Sequence, residues 1–445
     1  MDLFSLSIIS IAWLFLVALV FLFYIEKENY AAVQGLKLVG ILSGLWFFLL
    51  LFRLNLFYLA LPLLAAGIFL LLIFLIPHSF PSVKINLNEE QKDERLTIFS
   101  RMYELHLEEK KYDQFYAEFP HLKEIDSNLR ALPGLLSPQS LYYNQLLFKP
   151  AHHYMDELEK LYPAIHGEAF KPQSAESLKN IEQTLVLKGK QLGAVSVGFT
   201  PLYPHHFYSI KGRGTNYGKP IRNSHQFAIA ITVEMNKEAV DQAPFAPVIV
   251  ESTKQYLHAG KVAIGLAEYI RQLGFDATAH IDANYEVICP LVAMDAGLGD
   301  IGRMGLLMTP NLGPRVRIAV VSTNLQLKPS KSLTRNSVQY FCMICKKCAA
   351  ACPSQAIQKS NEIKNGQVRY RINHERCYGF WARIGTDCAR CMSVCPYAHA
   401  DNFFHRIIRF GINRNPLFAQ LALRADHYIY GMVPKSKGNR QTSKN

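Results

Sequence analysis

Eight of the nine cysteines fall between Cys342 and Cys395. "CMICKKCAAACP" sets Cys342, Cys345, Cys348 and Cys352 at the spacing C-x2-C-x2-C-x3-C-P. Such short spacings let three thiolates of one tight loop reach three irons of one [4Fe–4S] cube. The fourth cysteine leaves toward a second cube. "CYGFWARIGTDCARCMSVCP" supplies Cys377, Cys388, Cys391 and Cys395, with a longer first spacing. By analogy with crossed ligation, Cys342, Cys345, Cys348 and Cys395 hold one cluster. Cys352, Cys377, Cys388 and Cys391 hold the other. Zinc ribbons present four cysteines as two pairs, so the pattern points away from zinc. It is also unlike a spread disulfide framework, which indicates a reducing compartment. The remaining Cys289 reads as a small buried apolar residue.

A second stretch, "DAGLGDIGRMGLLMTPNLGPRVR", contains a literal G-x-G-x-x-G at Gly297, Gly299 and Gly302. A dinucleotide fingerprint follows a strand, opens a helix and has a ribose-binding acid about 20 residues on. Here "VICPLVAMDA" is not clearly a strand. No acid occurs between Asp300 and Glu362, and Arg303, Arg315 and Arg317 make the region basic. The pattern excludes NAD. Glycines still allow close approach to a large flat or anionic ligand, and arginines complement negative groups. Gly297, Gly299, Gly302 and Arg303 are therefore cofactor-contact candidates.

These groups sit in a chain of 445 residues with net charge +13, 50% hydrophobic and 19% charged residues. That balance indicates a membrane segment joined to a globular region. Leu3 to Tyr24, Gly35 to Phe52 and Leu54 to Ile76 are apolar runs apart from Lys37, near the roughly 20 residues a bilayer requires. The first lacks a basic start and a small-residue cleavage site, unlike a removed signal peptide. Arg53 marks a tight turn between the second and third. Lys27, Lys37, Lys84, Lys92 and Arg95 share one side of the membrane and Arg53 the other. The expected location is a multi-pass inner-membrane anchor with the large region in the cytoplasm. No histidine lies in the runs, which excludes a haem clamped between paired histidines. A plain anchor and a quinol-docking role both remain open. The basic balance fits an anionic lipid surface, nucleic acid or an acidic redox partner.

The soluble part mixes periods. "HQFAIAITVEM" alternates like a strand, "RVRIAVVSTN" reads as a buried strand, and "APVIVESTKQYLHAGKVAIGLAEYIRQLGF" as a long helix. The expected fold class is α+β. The expected divisions are an anchor over 1–77, a helical connector over 78–135 and a catalytic core over 136–335. A two-cluster module follows over 336–410, then a C-terminal segment over 411–445 packing on the core and ending in a basic tail.

Residues 195–435 resemble the reductive dehalogenases. The likeness rests on "YSIKGRGTNYGKPI", "AIAITVEM", "ESTKQYLHAGKVAIGLAEYIRQLGF", "AGLGDIGRMGLLMTPNLGPRVRIAVVSTNLQL", the cysteine runs, "CPYAHADNFFHRIIR" and "DHYIYG", in that order. The resemblance implies a corrinoid held without a covalent link, in a nitroreductase-like α/β core beside a ferredoxin-like module with two [4Fe–4S] clusters. It implies reductive cleavage of a carbon–halogen bond in a small organohalide. The electron donor would be a quinol, ferredoxin, flavodoxin or reductase, and no nucleic acid is expected as partner. It assigns the proton donor to Tyr256 in "ESTKQY" and its supporting cation to Arg317 in "GPRVR". A neighbouring cation is expected to lower the phenol pKa. Asp282 or Asn284 falls near a substrate-pocket position, and an acid at Asp282 also resembles the proton donor of the related epoxyqueuosine reductases. The chain departs from the respiratory pattern in having three apolar helices and no twin-arginine signal. The alternatives are an epoxyqueuosine-type reductase and a non-catalytic membrane-bound electron-transfer protein.

Overall fold

Three apolar helices come first: α1 (Leu3–Ile25), α2 (Asn29–Leu51) and α3 (Phe57–Leu75). The computed structural model describes residues 3–52, 57–80, 84–85, 91–170, 180–331, 336–364, 367–434 and 436–438. The turn expected at Arg53 lies outside these residues. Further along come α4 (Gln145–Glu159), β1 (Ser196–Pro201), β2 (Phe227–Glu234), α5 (Pro247–Gln272) and β3 (Ala277–His280). Then follow α6 (Cys289–Asp295), β4 (Val316–Thr323), α7 (Asn336–Cys345), α8 (Phe403–Ile412) and α9 (Pro416–Tyr430). The helix and both strands read from the long motifs are there. α2 starts six residues before the apolar run expected from Gly35, because Asn29–Gln34 continues the helix.

The chain forms two compact units. One contains residues 1–82, 336–345 and 400–434. Its α1, α2 and α3 are long and apolar enough to cross a membrane, and little of their surface is buried within the protein. Trp13 Nε1 donates to Ser43 Oγ at 3.0 Å, tying α1 to α2. α9 packs on α7, α8, α2 and α3. This grouping cuts the C-terminal region differently from the boundaries expected, since residues 400–434 go with the apolar helices.

The second unit contains residues 83–335, 346–399 and 435–445. Its centre is a wholly antiparallel sheet in the order β1-β2-β4-β3. The middle strands are apolar on both faces because each face is covered. Ile229, Ile231 and Val233 meet Val262, Ala263, Leu266 and Ala267 of α5. Ala228, Ala230 and Val320 meet Val292 and Ala293 of α6. A Cβ on Gly198 in β1 would strike the Ala296 carbonyl, so only glycine lets the chain after α6 lie against that strand. The period of two puts Arg317 on the α5 side of β4 with Ala319 and Val321. The face of α5 carrying Gly260, Ala263 and Ala267 is packed: the Gly260 Cβ position faces Leu158 and Leu161, and both alanines are core.

Candidate active site

Tyr256, on α5, and Arg317, at the start of β4, meet face to face. The Arg317 guanidinium carbon lies 4.5 Å from the Tyr256 ring centroid. This is a cation stacked on a ring. Arg317 Nη2 donates to Asp387 Oδ2 at 3.0 Å and to Ser252 Oγ at 2.6 Å. Ser252 also donates to Asp387 through a short bond. Arg317 Nε and Asp387 Oδ1 are buried with no hydrogen-bond partner among the described residues. Burial pushes the Tyr256 phenol up to about 12, and the opposing pull of Arg317 is smaller. The expected lowering is thus reversed: desolvation of a phenolate outweighs a cation facing the ring. Burial works against the Arg317 charge, but Tyr256, Asp387, Asp282 and Glu251 together hold its pKa above the ordinary value.

Two cavities share Tyr256, Asp282 and Tyr285. The smaller, about 300 Å³, has apolar walls from Val287, Ile288, Leu306, Leu307, Val316 and Ile318. The larger, about 670 Å³, is aromatic, with Phe99, Tyr103, Tyr162 and Trp381, and includes Asp387 and Asn284. Both candidate pocket positions, Asp282 and Asn284, therefore line it. Burial raises the Asp282 carboxyl above its ordinary value, with Arg213 and then Arg317 pulling it down.

Arg213, in the "GRGTNYG" block, is a further charged group here. Its Nη2 donates to the Tyr285 hydroxyl at 3.1 Å, and its guanidinium lies 5.2 Å from the Tyr285 ring centroid. Its Nε stands 3.6 Å from the fully buried Glu94, which accepts from the Gly212 amide at 2.7 Å. Glu94 belongs to the region expected to be only a connector. That region also supplies Phe99, Tyr103, Glu104 and Leu107 to the larger cavity.

Cys352, Cys377, Cys388 and Cys391, the expected second ligand set, are electrostatic neighbours in one unit. Burial and the adjacent thiols hold Cys391 far above its ordinary range. Burial carries Cys377 and Cys388 up to about 12. Crowded and buried in this way, these thiols resist ionising, and a metal that took the charge would let the protons leave. Cys388 directly follows Asp387, so this set begins one residue from the Arg317 partner. Of the other set, Cys342 and Cys345 end α7, and Cys348 and Cys395 belong to the other unit. Cys289 lines the smaller cavity half-buried rather than sitting in the core, and burial lifts its thiol to about 12.

The glycine loop does different work from that expected. A Cβ on Gly297 (φ +77°) would lie 2.6 Å from the Lys331 carbonyl, and one on Gly299 2.7 Å from the Met308 carbonyl. These glycines admit neighbouring backbone. None of Gly297, Gly299, Gly302 and Arg303 lines either cavity. Arg303 is 1% exposed, donates to the Gln358 and Ser360 carbonyls, and stacks on Tyr370 at 4.6 Å. Just before the loop, Asp295 meets His206 Nε2 at 2.9 Å and His205 Nε2 at 3.3 Å. The three side chains are close enough to resemble a metal site. But His206 Nδ1 accepts the Tyr203 amide, so its Nε2 carries the proton given to Asp295. The cluster is a hydrogen-bonded clamp on Asp295, whose carboxyl it holds below its ordinary value against the effect of burial.

Sequence reasoning missed Arg213, Asp387, Ser252 and the aromatic wall. The position of Asp387 beside a ligand cysteine and the glycine-flanked Arg213 were the available signals. Tyr162, Phe99 and Trp381 come from distant segments, which no local spacing announces.

Residues 341–399, spanning all eight clustered cysteines, match the 4Fe-4S dicluster domain family. The chain is 34% identical over 227 residues to the tetrachloroethene reductive dehalogenase of Desulfitobacterium hafniense, covering 48% of this chain and 40% of that protein. It is 29% identical over 158 residues to the epoxyqueuosine reductase of Lactococcus garvieae, covering 32% of this chain and 41% of that protein. Among solved structures, the catabolic reductive dehalogenase NpRdhA in complex with 3-bromo-4-hydroxybenzoic acid has the same fold. The TM-score is 0.63 at 21% identity, over 81% of this chain and 49% of that one. This chain is thus similar to reductive dehalogenases in sequence and fold, and it spans less than half the length of these relatives.

Proposed function

We propose that this chain is a membrane-anchored reductive dehalogenase. The reading is that it converts an organohalide R–X to R–H and X− with two electrons and one proton. The observation that carries it is Tyr256 at the junction of two cavities, held by Arg317 in a chain homologous to tetrachloroethene reductive dehalogenases. Two [4Fe–4S] clusters would be held by Cys342, Cys345, Cys348 and Cys395, and by Cys352, Cys377, Cys388 and Cys391. A corrinoid, larger than this slot of about 300 Å³, would extend past it while resting on its apolar wall of Leu307, Val316 and Ile318, in a core that would be of nitroreductase-like type. The slot's walls are hydrophobic, and Arg317 is the charged group Tyr256 shares it with. When bound, corrinoid and clusters supply the electrons that carbon–halogen cleavage consumes.

The chain's own residues would supply the proton and the pocket. Tyr256 keeps its proton at its phenol oxygen throughout the neutral range, as a general acid must. Arg317 and Arg213 would offset the negative charge left after transfer. Asp387 and Ser252 would fix the Arg317 plane, so the guanidinium stays over the ring. The aromatic walls would exclude water and orient an apolar organohalide.

The three apolar helices would form a multi-pass anchor. The excess of Lys27, Lys37, Lys84, Lys92 and Arg95 over Arg53 would put the catalytic unit in the cytoplasm. The protein isolated anaerobically from membranes should contain cobalt and iron and release halide from an aryl or alkenyl halide. Protein isolated with its iron but without cobalt, or without halide release from any such substrate, would refute the reading. One observation favours a second reading: Asp282 is an acid in the same cavity, its carboxyl raised toward the protonated form. Rescue of queuosine synthesis in a deficient strain, without halide release, would establish that reading instead.

A further inference from the structure

Helix α8 is built inside out. His405 and Arg409, on its inner face, are each 4% exposed, whereas Phe403, Ile407 and Phe410 are 80%, 37% and 50% exposed. Positions i, i+4 and i+7 form one stripe on a helix, and a helix at an aqueous surface turns such a stripe inward. Here the stripe faces out, and His405 and Arg409 face in.

The inward polar face has partners at the ends of the apolar helices. His405 Nε2 lies 3.2 Å from Glu26 Oε2, one residue beyond α1, and Asn402 Nδ2 donates to the same carboxylate. Arg409 Nη2 donates to Asp401 at 2.8 Å. Just after α8, Arg414 Nη2 reaches the Leu75 carbonyl at 3.3 Å, and Asn415 Nδ2 donates to the Ile76 carbonyl at 3.0 Å. These bonds satisfy carbonyls left open where α3 ends. The Phe74 ring, in the last turn of α3, lies 5.7 Å from the rings of both Phe410 and Phe418. α8 therefore sits where α1 and α3 finish. The exposed apolar surface of α3, with Leu71, Leu75 and Ile76 at 55%, 55% and 48%, continues into Phe410. Beside it, Arg414 stacks over Phe410 at 5.0 Å, and Arg406 is exposed and paired with Asp401 at 2.7 Å.

We infer that α8 is an interfacial helix. It lies at the headgroup level of the bilayer that α1–α3 cross, with Phe403, Ile407 and Phe410 among the acyl chains and Arg406 and Arg414 at the phosphates. The occupant of its exposed stripe is lipid. The inference rests on the membrane reading of α1–α3, and the test separates the two.

A photoreactive benzoylphenylalanine is placed singly at Phe403, Phe410, Phe47 or Leu146 in the full chain. Each protein is reconstituted in phosphatidylcholine–phosphatidylglycerol vesicles and irradiated, and lipid adducts are counted by mass spectrometry. Phe47, 67% exposed on α2, reports the bilayer, and Leu146, 77% exposed on α4, reports background. Adduct yields at Phe403 and Phe410 within about twofold of Phe47, and well above Leu146, are expected for side chains among acyl chains. Adducts at Phe47 but only background at Phe403 and Phe410 would overturn the inference and leave the anchor intact. Background at Phe47 would overturn the anchor and the inference with it. Cross-links from Phe403 or Phe410 to a second copy of the chain would assign the stripe to protein and overturn it as well.

Discussion

Arg317 touches Tyr256 through the ring face, 4.5 Å from its centroid, and touches Asp387 through a 3.0 Å hydrogen bond. One cation thus joins the candidate proton donor to the residue preceding Cys388, a candidate cluster ligand. Tyr256→Phe keeps the stacked ring and removes only the phenol oxygen. Halide release should fall about 100-fold or more, the scale of a lost general acid. Iron content and cluster reduction should stay at the wild-type level. Undiminished turnover would transfer the proton-donor role to another group, with Asp282 next in line.

Asp387→Asn removes the carboxylate that faces Arg317 and Ser252. Taking one partner from a buried pair costs roughly 3–5 kcal/mol. A lower Tm is expected, and slower turnover as the guanidinium plane loosens. Ser252→Ala removes only the shared hydroxyl and should lower both less. Thermal unfolding and steady-state rates of the two variants check this order.

Tyr256 is raised to about 12 from its ordinary 10. Because the folded state resists losing this proton, the stability it supports is complete below pH 10 and is lost as pH rises toward 12. Activity should therefore show no alkaline limb near 10 assignable to this phenol. A limb near 10 that disappears in Tyr256→Phe would contradict the assigned environment.

Acid acts through His280, 1% exposed and lowered to about 3 by burial and by Lys211. Its Nε2 lies 2.8 Å from Ser322 Oγ, and its Nδ1 accepts the Glu286 amide. The folded state rejects a proton that the unfolded chain takes near 6.5. The stabilisation is present above 6.5 and is lost as pH falls toward 3. His280→Asn should flatten the acid limb of a Tm-versus-pH curve.

Gly297→Ala tests what the glycine loop does. A Cβ there meets the Lys331 carbonyl at 2.6 Å, and φ is +77°. The variant should lose about 1–3 kcal/mol of stability from this strain with or without added corrinoid. A selective loss of corrinoid affinity at unchanged Tm would return the loop to the cofactor.

The strongest signals were local. The cysteine spacing, the three apolar runs and the β-branched strand "FAIAITVE" each state a physical requirement within one short stretch. The weakest concerned surfaces assembled from afar. The region of residues 78–135 read as a charged connector because its periodicity reports helix, not what the helix touches. Its Phe99 and Tyr103 nevertheless wall the larger cavity, and Glu94 meets Arg213 from "GRGTNYG". The glycine loop is a different case. Glycine tells that something comes close, and the fold showed that it is Lys331 and Met308 backbone.

What the sequence determined by itself was chemistry bound to spacing: thiolates for iron, lengths that match a bilayer, a tyrosine and an arginine marked by a family resemblance. Tertiary structure decided which groups share a dielectric. Only packing takes Tyr256 out of water far enough that burial outweighs Arg317, and only packing turns His405 and Arg409 inward while Phe403 and Phe410 face out. Desolvation depends on every neighbour at once, and a linear pattern carries only the nearest few.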